Sequence, residues 1–314
     1  MIIKNITTSV EKIPLKTPFI TSLRRVENVE FVRVKIECEN GSISFGEAPA
    51  TKAITGEDLI SIESSINKHK SKFIGLQVHE CFEELHSLDI GSSAKASLDM
   101  AFYNFINPMK NQTDKQSAIT ISLGEVSKML VDANIACTNQ NNILKLKFGS
   151  DIEHAIDVTK KIRNQNPEAK LLIDANQAWD YNQSVKYIEA IKDLEIELIE
   201  QPVKKDELDD LKNITNYSDI KIVADESCFT IDEVKEIIQN KRADIINIKL
   251  MKCGGVTKAI EILECCKSKN VPVMMGSMLE GPTSIEYASS LADTYKDVVK
   301  YVDLDSPLLY DLKS

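Results

Sequence analysis

Apolar and polar positions change rhythm once along this chain, near residue 110. Before that point Met1–Leu15 alternates weakly, as an edge strand does. Glu30–Glu37 (EFVRVKIE) then passes through Asn40-Gly41 into Ser42–Phe45, a pattern that predicts a hairpin. Thr17–Arg25 between these strands has no clear period and reads as an irregular segment with a basic end. After Gly46-Glu47-Ala48-Pro49 and a polar loop to Gly56, apolar residues recur at three and four over 57–73, 76–87 and 92–106. Strands followed by a run of helices predict a small α+β unit over residues 1–110.

From Ala118 onward, short apolar runs alternate with amphipathic stretches. Strands are expected at 118–122, 143–147, 170–174, 196–200, 221–225, 244–249, 271–276 and 299–303. Helical spacing fills gaps such as 151–164, 182–193, 230–240 and 255–269. The strand ends fall 24 to 27 residues apart, and eight βα-length units predict a closed parallel barrel over an open sheet. Too few residues follow Asp303 for a full closing helix, so the expectation for 111–314 is an α/β fold, a TIM-type (β/α)₇β barrel. No G-x-G-x-x-G or Walker-type loop follows a strand, which leaves nucleotide binding without support.

Composition narrows the partners. A net charge of −10 with a pI near 5.1 disfavours nucleic acid and anionic membranes as partners. No apolar run approaches a membrane span, and the first residues do not read as a signal peptide. Seven cysteines without a C-x-x-C pair point to a reduced, cytoplasmic protein. His69, His79, His86 and His154 fall in charged helical stretches and read as surface residues. Association into a homo-oligomer is left open.

Catalytic groups of such barrels gather at the C-terminal ends of the strands. Reading those ends gives Lys145 and Lys147, then Asp174 and Asn176, Glu200, Asp225 and Glu226, Lys249, Ser277, and finally Asp303 and Asp305. Lys145 and Lys147 share one strand face, where mutual repulsion and loss of water are expected to lower their pKa. Asp174, Glu200 and Asp225 on adjacent strands, without His or Cys, form a hard all-oxygen set suited to Mg²⁺. Lysines on either side of such a site suit proton transfer at a carbon beside a carboxylate, where a cation offsets the charge of the enediolate.

These residues resemble the muconate-lactonising-enzyme subgroup of the enolase superfamily. The matching stretches are Lys145-Leu-Lys147, Asp174-Ala-Asn176, Glu200-Gln-Pro202, Ala224-Asp225-Glu226-Ser227 and Asn247-Ile-Lys249. A lysine base beside Mg²⁺ is itself a well-known case from this superfamily. The resemblance implies that Lys147 and Lys249 are paired acid/base catalysts and that Asp174, Glu200 and Asp225 bind Mg²⁺. It makes Lys145 an electrostatic partner of Lys147 and of the substrate carboxylate, and residues 1–110 a capping domain carrying specificity loops.

Asp303-Leu304-Asp305 resembles the D-x-D signature of dipeptide epimerases, in which both acids hold an α-ammonium. Thr17 through Arg24 resembles the mobile cap loop of Ala-Glu epimerases, which implies that Arg24 receives the substrate's side-chain carboxylate, with Arg25 as the fallback. Thr51–Gly56 is similar to the second cap loop, and Thr120 and Ser277 are placed to hydrogen-bond the peptide. The implied activity is Mg²⁺-dependent epimerisation of L-Ala-D/L-Glu at its C-terminal residue. Cycloisomerase, o-succinylbenzoate synthase and N-acylamino acid racemase chemistry on the same scaffold stay open as alternatives. So does a Schiff-base lyase, which leaves the three acids unexplained. Two departures are visible: the Asn107–Ser117 linker is short and few residues follow the eighth strand, which leaves the anchoring of the cap open.

Overall fold

The computed structural model describes residues 1–21, 24–109 and 111–312. Ser22 and Leu23 of the expected cap loop, and Lys110 at the expected boundary between the two units, lie outside the described residues.

The N-terminal part is an antiparallel sheet of β1 (Ile3–Ile20), β2 (Arg25–Cys38) and β3 (Ile43–Pro49). Helices α1 (Lys52–Thr55), α2 (Leu59–His69), α3 (Glu80–Ser87) and α4 (Ser92–Ile106) follow. Asp58 opens α2 with a reciprocal capping box: its side chain accepts from Ser61 N while Ser61 Oγ accepts from Asp58 N. The segment 17–25, expected to be irregular, is strand at both ends. Phe19 pairs with Val26 and Ile20 with Arg25 after a register shift beyond Pro14. That shift moves side chains to the other face and erases the alternation from the sequence.

The remainder is an eight-stranded parallel sheet in sequential order. Its strands are β4 (Ile119–Ile121), β5 (Ile143–Lys147), β6 (Lys170–Asp174), β7 (Ile196–Glu200), β8 (Lys221–Ala224), β9 (Ile245–Ile248), β10 (Val273–Gly276) and β11 (Val299–Asp303). Ala118 N donates to Val302 O at 2.8 Å and joins the first strand to the last. The helices are α5 (Val126–Thr138), α6 (Ile152–Gln165), α7 (Tyr181–Ile191), α8 (Leu208–Tyr217), α9 (Ile231–Gln239), the single turn α10 (Leu250–Cys253), α11 (Val256–Ser268) and α12 (Pro282–Thr294). A last turn, α13 (Ser306–Leu309), follows β11. This is the expected (β/α)₇β barrel with a capping unit, and the strand limits agree with the alternation to within about two residues.

Strand alternation builds the interior in layers. Ala118, Leu172, Leu198, Val223, Ile245 and Met274 form a dry apolar plug inside the barrel. Two residues further along five of these strands stand Thr120, Asp174, Glu200, Asp225 and Asn247, so the layer above the plug is polar. Residues in between, such as Leu144, Leu171, Ile173 and Ile199, face the helices and join the main core.

Cap and barrel meet through carboxylates at helix starts. Glu47 of β3 accepts from Thr283 N (2.9 Å) and Ser284 N (3.3 Å) at the start of α12. Asp99 of α4 accepts from Thr257 N (3.0 Å) at the start of α11. Both carboxylates complement the positive end of a helix. The open question of cap anchoring is answered at the C-terminal side: Leu15 bridges Tyr310, and Asp311 N donates to Pro14 O at 2.7 Å.

Glu280, just before α12, is 1% exposed and accepts from Met278 N at 2.7 Å. Burial pushes its carboxyl up to about 7. A carboxyl raised in the fold stabilises it below the unfolded value of about 4.5 and loses that contribution as pH rises through 7. In EDTA the melting temperature is therefore expected to fall between pH 5 and 8, with about 2–3 kcal/mol of the loss due to this group. Glu280→Gln should flatten the slope in thermal melts across that range; an unchanged slope assigns the loss to other groups.

Candidate active site

The strands set the site's plan. In a closed eight-stranded sheet of sequential order, β5 faces β9 and β7 faces β11. Lys147 ends β5 and Lys249 follows β9, so these two lysines come from opposite walls. Glu200 ends β7 and Asp303 ends β11, on the axis that crosses theirs. Lys147, Asp174 and Glu200 are in register across three neighbouring strands.

Every ammonium group in this layer is paired with carboxylates. Lys145, fully buried, lies 2.6 Å from Asp303 Oδ2, 2.6 Å from Glu200 Oε2 and 3.1 Å from Asp174 Oδ2, and so bridges the β7–β11 axis. Lys147 bonds Asp174 Oδ2. Lys249 lies 2.6 Å from Asp225 Oδ2 and 3.9 Å from Glu200 Oε1. Buried charges above an apolar plug persist only when paired in this way.

For Lys145 the expected lowering of the pKa is corrected here. Burial works to lower Lys145, but Asp303, Glu200 and Asp174 outweigh it and hold its ammonium well above the usual lysine range. Burial is likewise outweighed at Lys249 by Asp225 and Glu200. Strand neighbours place acids between the lysines, so the repulsion read from one strand is overruled by attraction across several. Among the acids, Glu200 is raised to about 7 by burial and by Asp174. Asp174 is held at about 2, because Lys147 and Lys145 overcome its burial.

Polar neighbours fix the acids. Asn176 N donates to Asp174 Oδ1 (2.9 Å) and Asn247 Nδ2 to Glu200 Oε1 (2.9 Å). Gln201, at φ +35°, turns its side chain so that Oε1 accepts from Asp225 N (2.9 Å) and Ser227 N (3.2 Å). A left-handed glutamine is strained backbone held by these bonds. None of these supporting roles follows from sequence spacing.

Arg24, Thr120, Ser277, Asp303 and Asp305 line one cavity with Lys147 and Lys249. Thr120 N donates to Asp305 Oδ2 (2.7 Å), and Ser277 N to Asp303 O (3.1 Å). Burial and Asp303 raise Asp305 to about 6. Arg24 is bonded to Ala50 O at 3.2 Å, and no ion pair joins it to a carboxylate among the described residues. Arg25, the fallback, is exposed and pairs with Glu27 at 3.3 Å. Thr51 and Ile54 of the second cap loop, with Phe19 and Leu279, complete the apolar side of the cavity. Glu226, named only as a strand end, is buried against this cavity with both oxygens unbonded, and burial and Asp225 raise it to about 8.

The donor set fits a hard divalent cation. Asp174, Glu200, Asp225, Glu226, Asp303 and Asp305 face Lys145, Lys147, Lys249 and Lys252; six acids against four ammonium groups leave two negative charges when all are ionised. Among the described residues no three metal-ligating side chains converge as they stand, and ammonium groups occupy the oxygens of Asp174, Glu200 and Asp225.

Known proteins resemble this sequence and share this fold. Residues 128–311 match the family described as Enolase C-terminal domain-like. The chain is 52% identical to the L-amino acid-D/L-Glu epimerase of Sulfurimonas denitrificans, covering 99% of this chain and 94% of that protein. It is 36% identical to the L-Ala-D/L-Glu epimerase of Bacillus subtilis, covering 98% and 89%. Among solved structures, a substrate-liganded complex of the L-Ala-D/L-Glu epimerase from Bacillus subtilis superposes with a TM-score of 0.92 at 35% identity, over 99% of this chain and 92% of that one. A dipeptide epimerase from Enterococcus faecalis complexed with Mg and L-Leu-L-Tyr gives 0.93 at 33%, also over 99% and 92%.

Proposed function

Because the chain belongs to the enolase C-terminal domain-like family and is an isomerase of the epimerase kind, we propose that it inverts the C-terminal residue of dipeptides, with L-Ala-D/L-Glu as the preferred substrate. The observation that carries this reading is the pair of crossed axes in the site. Asp174 and Glu200 at the ends of β6 and β7, with Asp225 just after β8, would hold Mg²⁺, and Asp303 at the end of β11 with Asp305 just beyond it would hold an ammonium on the far side. A molecule with a carboxylate at one end and an ammonium one peptide unit away spans that axis; an N-acyl amino acid brings no ammonium to Asp303 and Asp305.

Asp174, Glu200 and Asp225 would hold Mg²⁺, which when bound would offset the second negative charge that develops on the substrate carboxylate. The reacting Cα then lies between Lys147 and Lys249. With the carboxylates that now pair it turned to a bound cation, one lysine would release its proton to solvent and, as the free amine, take the α-proton from one face. The other, as the ammonium, returns a proton to the opposite face, and the centre is inverted. Lys145 stays charged beside the substrate carboxylate, which its surroundings favour. Thr120 and Ser277 orient the peptide. Arg24, half-buried at the cavity without a carboxylate partner among the described residues, receives the γ-carboxylate of glutamate.

The division into a cap, residues 1–110, and a catalytic unit, residues 111–314, belongs to the same reading. So does a cytoplasmic setting, which all seven cysteines, free in the fold, support. Among the described residues no helix is long and apolar enough to cross a membrane.

The test is a dipeptide screen in D₂O with Mg²⁺, read by mass and by chirality. L-Ala-L-Glu should gain one deuterium and invert only at its C-terminal residue. Arg24→Met should lose about ten- to a hundredfold in kcat/KM for Ala-Glu, the cost of one charge-assisted contact, with little effect on Ala-Leu. Faster turnover of N-succinyl amino acids than of Ala-Glu by the native protein overturns the assignment.

A further inference from the structure

Lys252 is a buried cation that the reaction as derived does not use. It is 2% exposed, on the single turn α10 that begins directly after Lys249. Its Nζ lies 2.7 Å from Asp225 Oδ1 and donates to Asp225 O (2.6 Å) and Asn247 O (2.8 Å). Lys249, three residues earlier on the same turn, holds the other oxygen, Oδ2, at 2.6 Å. The two ammonium groups thus clamp one carboxylate from both sides. Lys252 has no atom in the substrate cavity, whereas Lys249 lines it.

We propose that Lys252 is a positioning residue for the epimerase reaction: by fixing Oδ1 of Asp225 and tying the end of β8 to the end of β9, it presents Oδ2 to the cation and sets where Lys249 stands. The proposal rests on the two-lysine reading above. A buried lysine anchored on two carbonyls, with its charge 2.7 Å from Oδ1, restrains that carboxylate against rotation. Without it, Asp225 turns about its side chain and takes Lys249 with it, while Lys147 on the opposite wall keeps its place on Asp174.

Two readouts separate positioning from charge and from simple scaffolding. Removing a positive charge beside a metal ligand should by itself tighten cation binding; losing an oriented ligand should weaken it. Lys252→Met is expected to bind Mn²⁺ at least about tenfold more weakly by calorimetry. At saturating Mg²⁺ in D₂O it should slow, by about tenfold or more, α-proton exchange of the same epimer that Lys249→Ala silences, and leave the other epimer within about threefold. Lys252→Arg, which keeps the charge and the donors, should recover both. If the methionine variant does not fold, Lys252→Gln, with one donor, is read by the same two measurements. Mn²⁺ binding that is unchanged or tighter, or equal slowing of both epimers, overturns the proposal. Absence of any face preference in Lys147→Ala and Lys249→Ala overturns the two-lysine reading instead, and the Mn²⁺ measurement then decides on Lys252 alone.

Discussion

Lys147→Ala and Lys249→Ala should each stop epimerisation of L-Ala-D/L-Glu while leaving half of the chemistry intact. The lysines come from the ends of β5 and β9, four strands apart in an eight-stranded barrel, so in the proposed scheme each serves one face of the substrate carbon. Losing one removes a positioned acid/base group, about 100- to 10,000-fold in rate. The surviving lysine still exchanges the α-proton of the epimer that faces it. The two variants should therefore show opposite preferences: one washes deuterium into the L,L epimer and the other into the L,D epimer, neither with inversion. Single-epimer incubations in D₂O read by mass measure this directly. Two variants that both epimerise near the wild-type rate exclude the two-base scheme.

Removal of the divalent ion should abolish turnover altogether, and Asp174→Asn, Glu200→Gln or Asp225→Asn should do the same at ordinary Mg²⁺ concentrations. Each amide removes one anionic oxygen ligand that a cation would use, so Mn²⁺ affinity measured by calorimetry should fall in all three. The proteins should stay folded, because each amide still accepts hydrogen bonds from the neighbours that orient the acid; Asn176 N on residue 174 and Asn247 Nδ2 on residue 200 are the clearest. Full activity after exhaustive chelation removes the metal from the scheme.

The barrel was legible because its code is local. Alternation such as Leu171 out, Leu172 in, Ile173 out, Asp174 in is fixed by the strand period, and regular spacing of such runs is enough for the topology. The charged strand ends followed from the same period. What stayed hidden depends on contacts between strands. A lysine in the segment Leu250-Met-Lys-Cys253 looks like any polar helical residue, yet Lys252 is buried because the β8 carboxylate lies next to it. The direction of the lysine pKa was misread for the same reason, since Lys145 meets acids from β6, β7 and β11 that its own strand does not reveal. At the cap, the register shift after Pro14 concealed the far half of β1, and with it the strand pairing that carries Phe19 to the cavity.

The carboxylates that seat the cap on the barrel also limit how such proteins can be recombined. A side-chain Cβ on Gly255 would come within 2.4 Å of Asp99 Oδ2, and one on Gly281 within 2.5 Å of Glu47 Oε2. Each acid thus enters a socket that only a residue without a side chain leaves open. A cap transplanted from a relative brings its loops to this barrel usefully only if it also brings an acid at each of these two points. A barrel expressed alone would show two helix starts stripped of their acidic partners and the apolar bed beneath them. Under the proposed function, substrate range should follow single cap residues such as Arg24 and Ile54, whereas exchange of the whole cap must also carry both of these acids.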